Sequence, residues 1–104
     1  MIDAEWHAVR CIFDHGGTYE ERITLWHTAD FEEAIELAEL EATQYASDQG
    51  GSEYAGLAQV YALPGVPDHG AEVFSLMRDS ELGTNDYLDA FFDTGQERQG
   101  HVED

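Results

Sequence analysis

The chain has 104 residues and one cysteine, and its 23 acidic residues face only four arginines and no lysine, for a net charge of −19. A surface of that sign repels phosphate backbones and anionic membranes, so neither nucleic acid nor membrane is expected as a partner. The length suits one domain; 42% apolar residues and twelve aromatics fit a folded core, and no apolar run approaches the roughly 20 residues that span a bilayer.

The first half reads strand, turn, strand, helix. Residues 6–13 are rich in β-formers, Asp14-His15-Gly16-Gly17-Thr18 is a turn cluster, and residues 21–27 resume with Ile23, Leu25 and Trp26. Pairing across that turn is expected to set His7 opposite His27, Val9 opposite Leu25 and Cys11 opposite Ile23. Trp6, Ala8, Ile12 and Trp26 then share the other face with Arg10 and Arg22. A helix follows: Asp30 is an N-cap with Glu33 three residues on, and Phe31, Ala34, Ile35, Ala38, Ala42 and Tyr45 recur at helical spacing. Gly50 and Gly51 lie in the loop that ends it.

The second half repeats the plan. Residues 54–63 read as a strand, 64–70 as a turn holding both prolines, and 71–78 as a returning strand. Thr84 is the expected N-cap of a short helix from Asn85 to about Asp93, closed by Gly95. The pattern predicts an α+β fold of order ββα–ββα, with a four-stranded antiparallel sheet and two helices on one face. Residues 1–95 form the domain and 96–104 read as a flexible acidic tail. Apolar residues point both ways on the later strands: Leu57, Tyr61 and Leu63 against Ala58, Val60 and Ala62. The face that the helices leave open calls for a second copy, making a homodimer, or for loops or tail of the same chain.

Several segments in order resemble a small bacterial family catalogued as domain-of-unknown-function family 4288. They are residues 6–13, Tyr19-Glu20-Glu21-Arg22-Ile23-Thr24-Leu25-Trp26, Glu33-Ala34-Ile35, residues 57–63, Glu72-Val73-Phe74-Ser75-Leu76 and residues 87–95. The resemblance implies a cytoplasmic bacterial protein, often a stand-alone small domain, and carries over no catalytic residue. The acidic start, without a basic region or apolar stretch, and the lone Cys11 agree with a reducing cytoplasm.

Candidate chemistry is sparse. His15 and His69 each sit in an Asp-His-Gly turn; the two Asp-His pairs can supply general bases or metal ligands if the turns meet, and the expected reading is turn chemistry, since Asp starts turns and Gly admits positive φ. His7 and His27 alone do not complete a zinc site, and Cys11, mid-strand among apolar residues, reads as a buried thiol. Asp86, Asp89 and Asp93 share a helix face; no glycine-shaped loop constrains them, and no metal is expected. No phosphate loop, nucleophile elbow, zinc-protease or dinucleotide motif occurs, so no cofactor is expected. Trp6, Arg10, Arg22 and Trp26 are the candidate ligand site: paired with the indoles, the guanidiniums can receive a planar anion.

The acidity points outward. Glu32 and Glu33 gain from the helix dipole by roughly 0.3–1 kcal/mol each, but Glu39 and Glu41 do not, and the helix carries no Lys or Arg to offset them. Either solvent, through solubility or life at high salt, or a partner accounts for the excess. From the charge and the missing motifs, the function expected is a non-enzymatic interaction module for a basic partner, resembling an immunity protein or a DNA mimic. Glu32, Glu36, Glu39, Asp86, Asp89 and Asp93 are its candidate contact residues. The alternative is a small-molecule-binding protein or enzyme using the sheet face near Trp6, Arg10, Arg22 and Trp26.

Overall fold

In the computed structural model, residues 4–98 are described. Strands β1 (Glu5–Asp14) and β2 (Tyr19–Thr28) precede helix α1 (Phe31–Asp48), and strand β3 (Glu53–Ala62) follows it. The sheet is antiparallel throughout, in the order β2-β1-β3. The fold is thus α+β, as the sequence predicts. The returning strand expected at 71–78 is not among the described strands, so the sheet has three strands rather than four. Beyond Pro64 and Pro67, a turn at 68–71 closes by an Ala71 N–H bond to Asp68 O of 2.8 Å, with Gly70 at φ +81°. The chain then places Phe74 over the sheet, 5.8 Å from the Tyr61 ring and 5.1 Å from the Arg10 guanidinium. Prolines cannot donate to a ladder, and here the segment contributes a side chain to a sheet face instead of a strand to its edge.

The β1–β2 turn fixes which residues face the helix. Gly16 and Gly17 have φ of +73° and +98°, the left-handed pair that a two-residue type I′ hairpin requires, and His15 N–H bonds Thr18 O at 2.7 Å. With two residues in the loop, Trp6 pairs with His27, His7 with Trp26, Val9 with Thr24 and Cys11 with Arg22. The expected register needed one more loop residue. A one-residue slip moves every side chain of a strand to the opposite face, which is what separates the expected β2 from the observed one.

One face carries His7, Val9, Cys11 and Phe13 of β1, with Arg22, Thr24 and Trp26 of β2 and Tyr54, Ala58 and Val60 of β3. Helix α1 packs on it. Asp30 caps the helix by accepting from Glu33 N–H at 2.8 Å, and Glu33 Oε1 reaches back to Ala29 N–H at 2.9 Å, a variant of the capping box. Ala34, Ala38, Ala42 and Ala46 form a seam of small residues that lets the helix lie close to the sheet; all four are buried. Phe13, wholly buried, is the largest core side chain, set edge-on to Tyr45 at 4.9 Å and tilted against Tyr54 at 5.7 Å. In β3 the pairing shifts between Cys11 and Phe13, and Gly56 at φ +82° takes up the extra length as a bulge.

The second helix is shorter than expected and differently built. Helix α2 (Thr84–Tyr87) begins at Thr84 rather than after it, with Gly83 at the cap and no side-chain cap bond. It runs directly into a π-turn, Leu88–Phe92, closed by Asp93 N–H to Leu88 O at 2.8 Å. These turns do not pack on the sheet, and Leu88, Phe91 and Phe92 stay exposed. Of the expected tail, residues 99–104 lie outside the described range. Thr94 N–H and Oγ1 both bond Glu97 at 2.8 Å, and Arg98 reaches Thr18 Oγ1 at 3.3 Å.

Candidate functional site

The corrected register divides the residues of the expected ligand site. Trp6 and Arg10 lie on the open face of the sheet, Arg22 and Trp26 on the helix face, so the four do not line one pocket. Trp6 stacks on His27 at 4.7 Å. Arg10 is spread over Gln59 Oε1 at 2.6 Å, Glu21 at 3.5 Å and the Phe74 ring, and its Nε is buried without a hydrogen-bond partner. Trp26 donates to Thr24 Oγ1 at 2.7 Å and packs against the core.

The histidine pairs separate for the same reason. His7 is buried beneath α1, edge-on to Phe31 and within 3.0 Å of Thr28 Oγ1 through Nδ1, whereas His27 is on the open face. Thr28 Oγ1 donates its single proton to Asp30 O at 3.1 Å, so it accepts from His7 Nδ1–H. Of the two turn histidines, His15 is engaged and His69 is exposed. Asp68 Oδ1 accepts from the His69 backbone N–H at 2.6 Å, which is turn chemistry.

What the fold does assemble is a polar network between the hairpin end of the sheet and α1, and sequence reasoning missed most of it. His15 bonds Ser52 Oγ through Nδ1 and Glu20 Oε1 through Nε2 at 2.8 Å. Tyr45 from α1 donates its hydroxyl to both Glu20 oxygens, at 2.8 and 3.0 Å. The Arg22 guanidinium lies 3.9 Å above the Tyr45 ring and donates to Glu41 Oε1 at 2.7 Å. On the other flank of α1, Tyr54 donates to Glu39 Oε2 at 2.6 Å and stands 4.0 Å from Cys11 Sγ. Glu41, which no residue of its own helix balances, is balanced by β2.

The electrostatics of this network are those of a structural clasp. Burial would raise the Glu20 carboxyl, but bonds from His15 and Tyr45 and the charges of His15 and Arg22 outweigh it and hold the group below its ordinary value. The hydrogen bond to Glu41 raises Arg22. The bond to Glu20 raises the Tyr45 phenol, burial and the bond to Glu39 raise Tyr54 strongly, and burial raises the Cys11 thiol. Every one of these shifts moves a group away from neutrality. Catalytic acids, bases and nucleophiles are tuned the other way.

The expected acidic contact residues divide as well. Glu32 and Glu36 are exposed on α1, while Glu39 is half-buried and accepts a hydrogen bond from the Tyr54 hydroxyl. Asp86 and Asp89 are exposed, but Asp93 has left the helix, with φ −127° and ψ 80°, so the three do not form one helical stripe. Beside the hairpin turn, an open groove of about 1080 Å³ is lined by His15, Tyr19, Glu20, Phe91, Phe92 and Arg98 among others. Among the described residues no cluster of three or more His, Cys, Asp or Glu can hold a metal ion, and no helix is long and apolar enough to cross a membrane. No protein-family model, no curated protein and no solved structure matches the chain.

Proposed function

We propose that the chain is a non-enzymatic protein-interaction module that receives a basic partner on its acidic surface, in the manner of an immunity protein or a DNA mimic. The observation that carries this reading is where the four cations are spent. Arg10 is held by Gln59, Glu21 and Phe74, and Arg22 by Glu41 and the Tyr45 ring. Arg78 donates to the Tyr87 hydroxyl at 2.8 Å and lies 4.3 Å from the Phe91 ring, and Arg98 meets Thr18. Among the described residues no cation pairs with Glu32, Glu36, Asp86 or Asp89. An unneutralised field of one sign speeds encounter with a cationic surface and rejects an anionic one.

Self-association belongs to the same reading. Ile23, Leu25 and Leu57 on the open face are each at least 39% exposed, and Val73, Leu76 and Met77 beside it are also exposed. A second copy is the occupant proposed for that apolar face. Affinity purification from the native host at low salt should retain a basic protein that leaves the column as salt rises. A column that retains none at low salt refutes the basic-partner reading. Light scattering at two concentrations tests the dimer, and a strict monomer removes it.

A further inference from the structure

We infer that the basic partner docks as an added strand on the open edge of β3, with its cationic side chains against the flank of α1 formed by Glu32, Glu36 and Glu39. The inference rests on the basic-partner reading above and names how that partner is held.

Hydrogen-bond alternation identifies the free groups. Leu63 N–H bonds Trp6 O at 2.9 Å, so Leu63, Tyr61 and Gln59 turn their backbone groups toward β1. Ala58, Val60 and Ala62 between them turn theirs away from the sheet. Among the described residues no backbone hydrogen bond reaches that edge. The two edges of the sheet differ in protection. β2 carries Glu20, Glu21 and Arg22, charges of the kind that discourage pairing. From Tyr54 to Ala62, β3 carries no charge and no proline, and its bulge at Gly56 leaves 58–62 regular.

The surroundings of the edge select the occupant. Glu39 binds Tyr54 of β3, whereas Glu41 and Tyr45 reach Arg22 and Glu20 of β2, so the Glu39 flank of α1 is the one beside β3. Glu32 and Glu36 precede Glu39 by seven and three residues and share that flank. A second copy on this edge would set two such acidic flanks side by side. A strand with lysine or arginine at alternate positions would meet them with opposite charge, and its intervening residues, if apolar, would extend the surface of Leu57 and Tyr61. Main-chain bonds supply the register and the carboxylates supply the selectivity.

The test uses the full chain and an acetylated peptide of alternating lysine and valine. Its control replaces the valines by proline and methylates the backbone nitrogens of the lysines, keeping charge but removing every ladder donor. Binding of the valine peptide at about 0.02 M salt should slow amide exchange at Ala58, Val60 and Ala62 by about tenfold and weaken severalfold near 0.3 M salt. Glu36→Lys should weaken it further without touching a buried group. If both peptides bind alike and no edge amide is protected, strand addition is wrong while the basic-partner reading stands. If neither peptide binds at low salt, the strand proposal falls, and native-host purification separately judges the reading beneath it. Concentration-dependent protection of the same amides without peptide would assign the edge to a second copy and overturn the proposal.

Discussion

Raising sodium chloride from about 0.01 M to about 0.15 M should stabilise this fold by several kcal/mol, because folding concentrates a net charge of −19 into a small volume. The Cα radius of gyration is 15.8 Å, equivalent to a sphere of about 20 Å radius, on which that charge repels itself by roughly 37 kcal/mol in unscreened water. Debye lengths of about 30 Å and about 8 Å at the two salt levels reduce this to roughly 22 and 11 kcal/mol. An unfolded chain of this length has a radius of gyration of about 32 Å, and the same change in salt relieves it by only about 5 kcal/mol. The difference, on the order of 6 kcal/mol, is as large as the whole stability of an ordinary domain. Urea unfolding followed by tryptophan fluorescence measures it, since Trp26 packs against the core and urea adds no ions. A urea midpoint that stays constant or falls with salt would refute the reasoning, and would mean that the carboxylates repel one another far less than their number implies.

Alkaline pH should unfold the chain early. The Tyr54 phenol is raised by burial and by Glu39, so the folded state keeps a proton that the unfolded state gives up near pH 10. Its stabilisation is complete below that pH and is lost as pH rises above it; Tyr54→Phe should flatten the alkaline limb of a pH titration followed by circular dichroism. Glu20 acts oppositely: its carboxyl is held low, so its contribution is present above the ordinary carboxylate range and is lost as pH falls through its lowered value. Glu20→Gln should shrink the acid limb. Phe13→Ala removes the largest buried side chain and should cost about 3–5 kcal/mol in urea unfolding at moderate salt. Asp30→Ala removes the acceptor for Glu33 N–H and should cost about 1 kcal/mol in the same assay.

The helix was the most legible element. Asp30, Glu33 and the alanine spacing are local signals, and the structure honours each of them. The first three strands were legible for a similar reason, since β-rich runs lie between glycine-rich turns. What could not be read was any feature set by a single residue of offset. Asp14-His15-Gly16-Gly17-Thr18 admits a loop of two or three residues, and the choice decides whether Arg22 and Trp26 face the helix or the opposite side. The polar network failed to show itself because its members are far apart in sequence: Tyr45 meets Glu20 twenty-five residues away, and Glu41 meets Arg22 nineteen away. Glu41 was the one available clue, a carboxylate that its own helix could not balance. Residues 71–78 have the composition of a strand, yet composition does not say whether a neighbouring edge is within reach beyond two prolines.

The glycine pair at the tip of the first hairpin has a consequence for heredity as well as for shape. Because Gly16-Gly17 alone sets the offset between β1 and β2, adding or deleting one codon there would exchange the inner and outer faces of a ten-residue strand while leaving every other residue unchanged. Arg22 would leave Glu41, and Ile23 and Leu25 would turn toward the helix. Substitutions along β2 alter one contact at a time and can accumulate; a change in loop length alters all of them at once. In any lineage of this chain, the length of that loop should drift more slowly than the residues of the strand it orients.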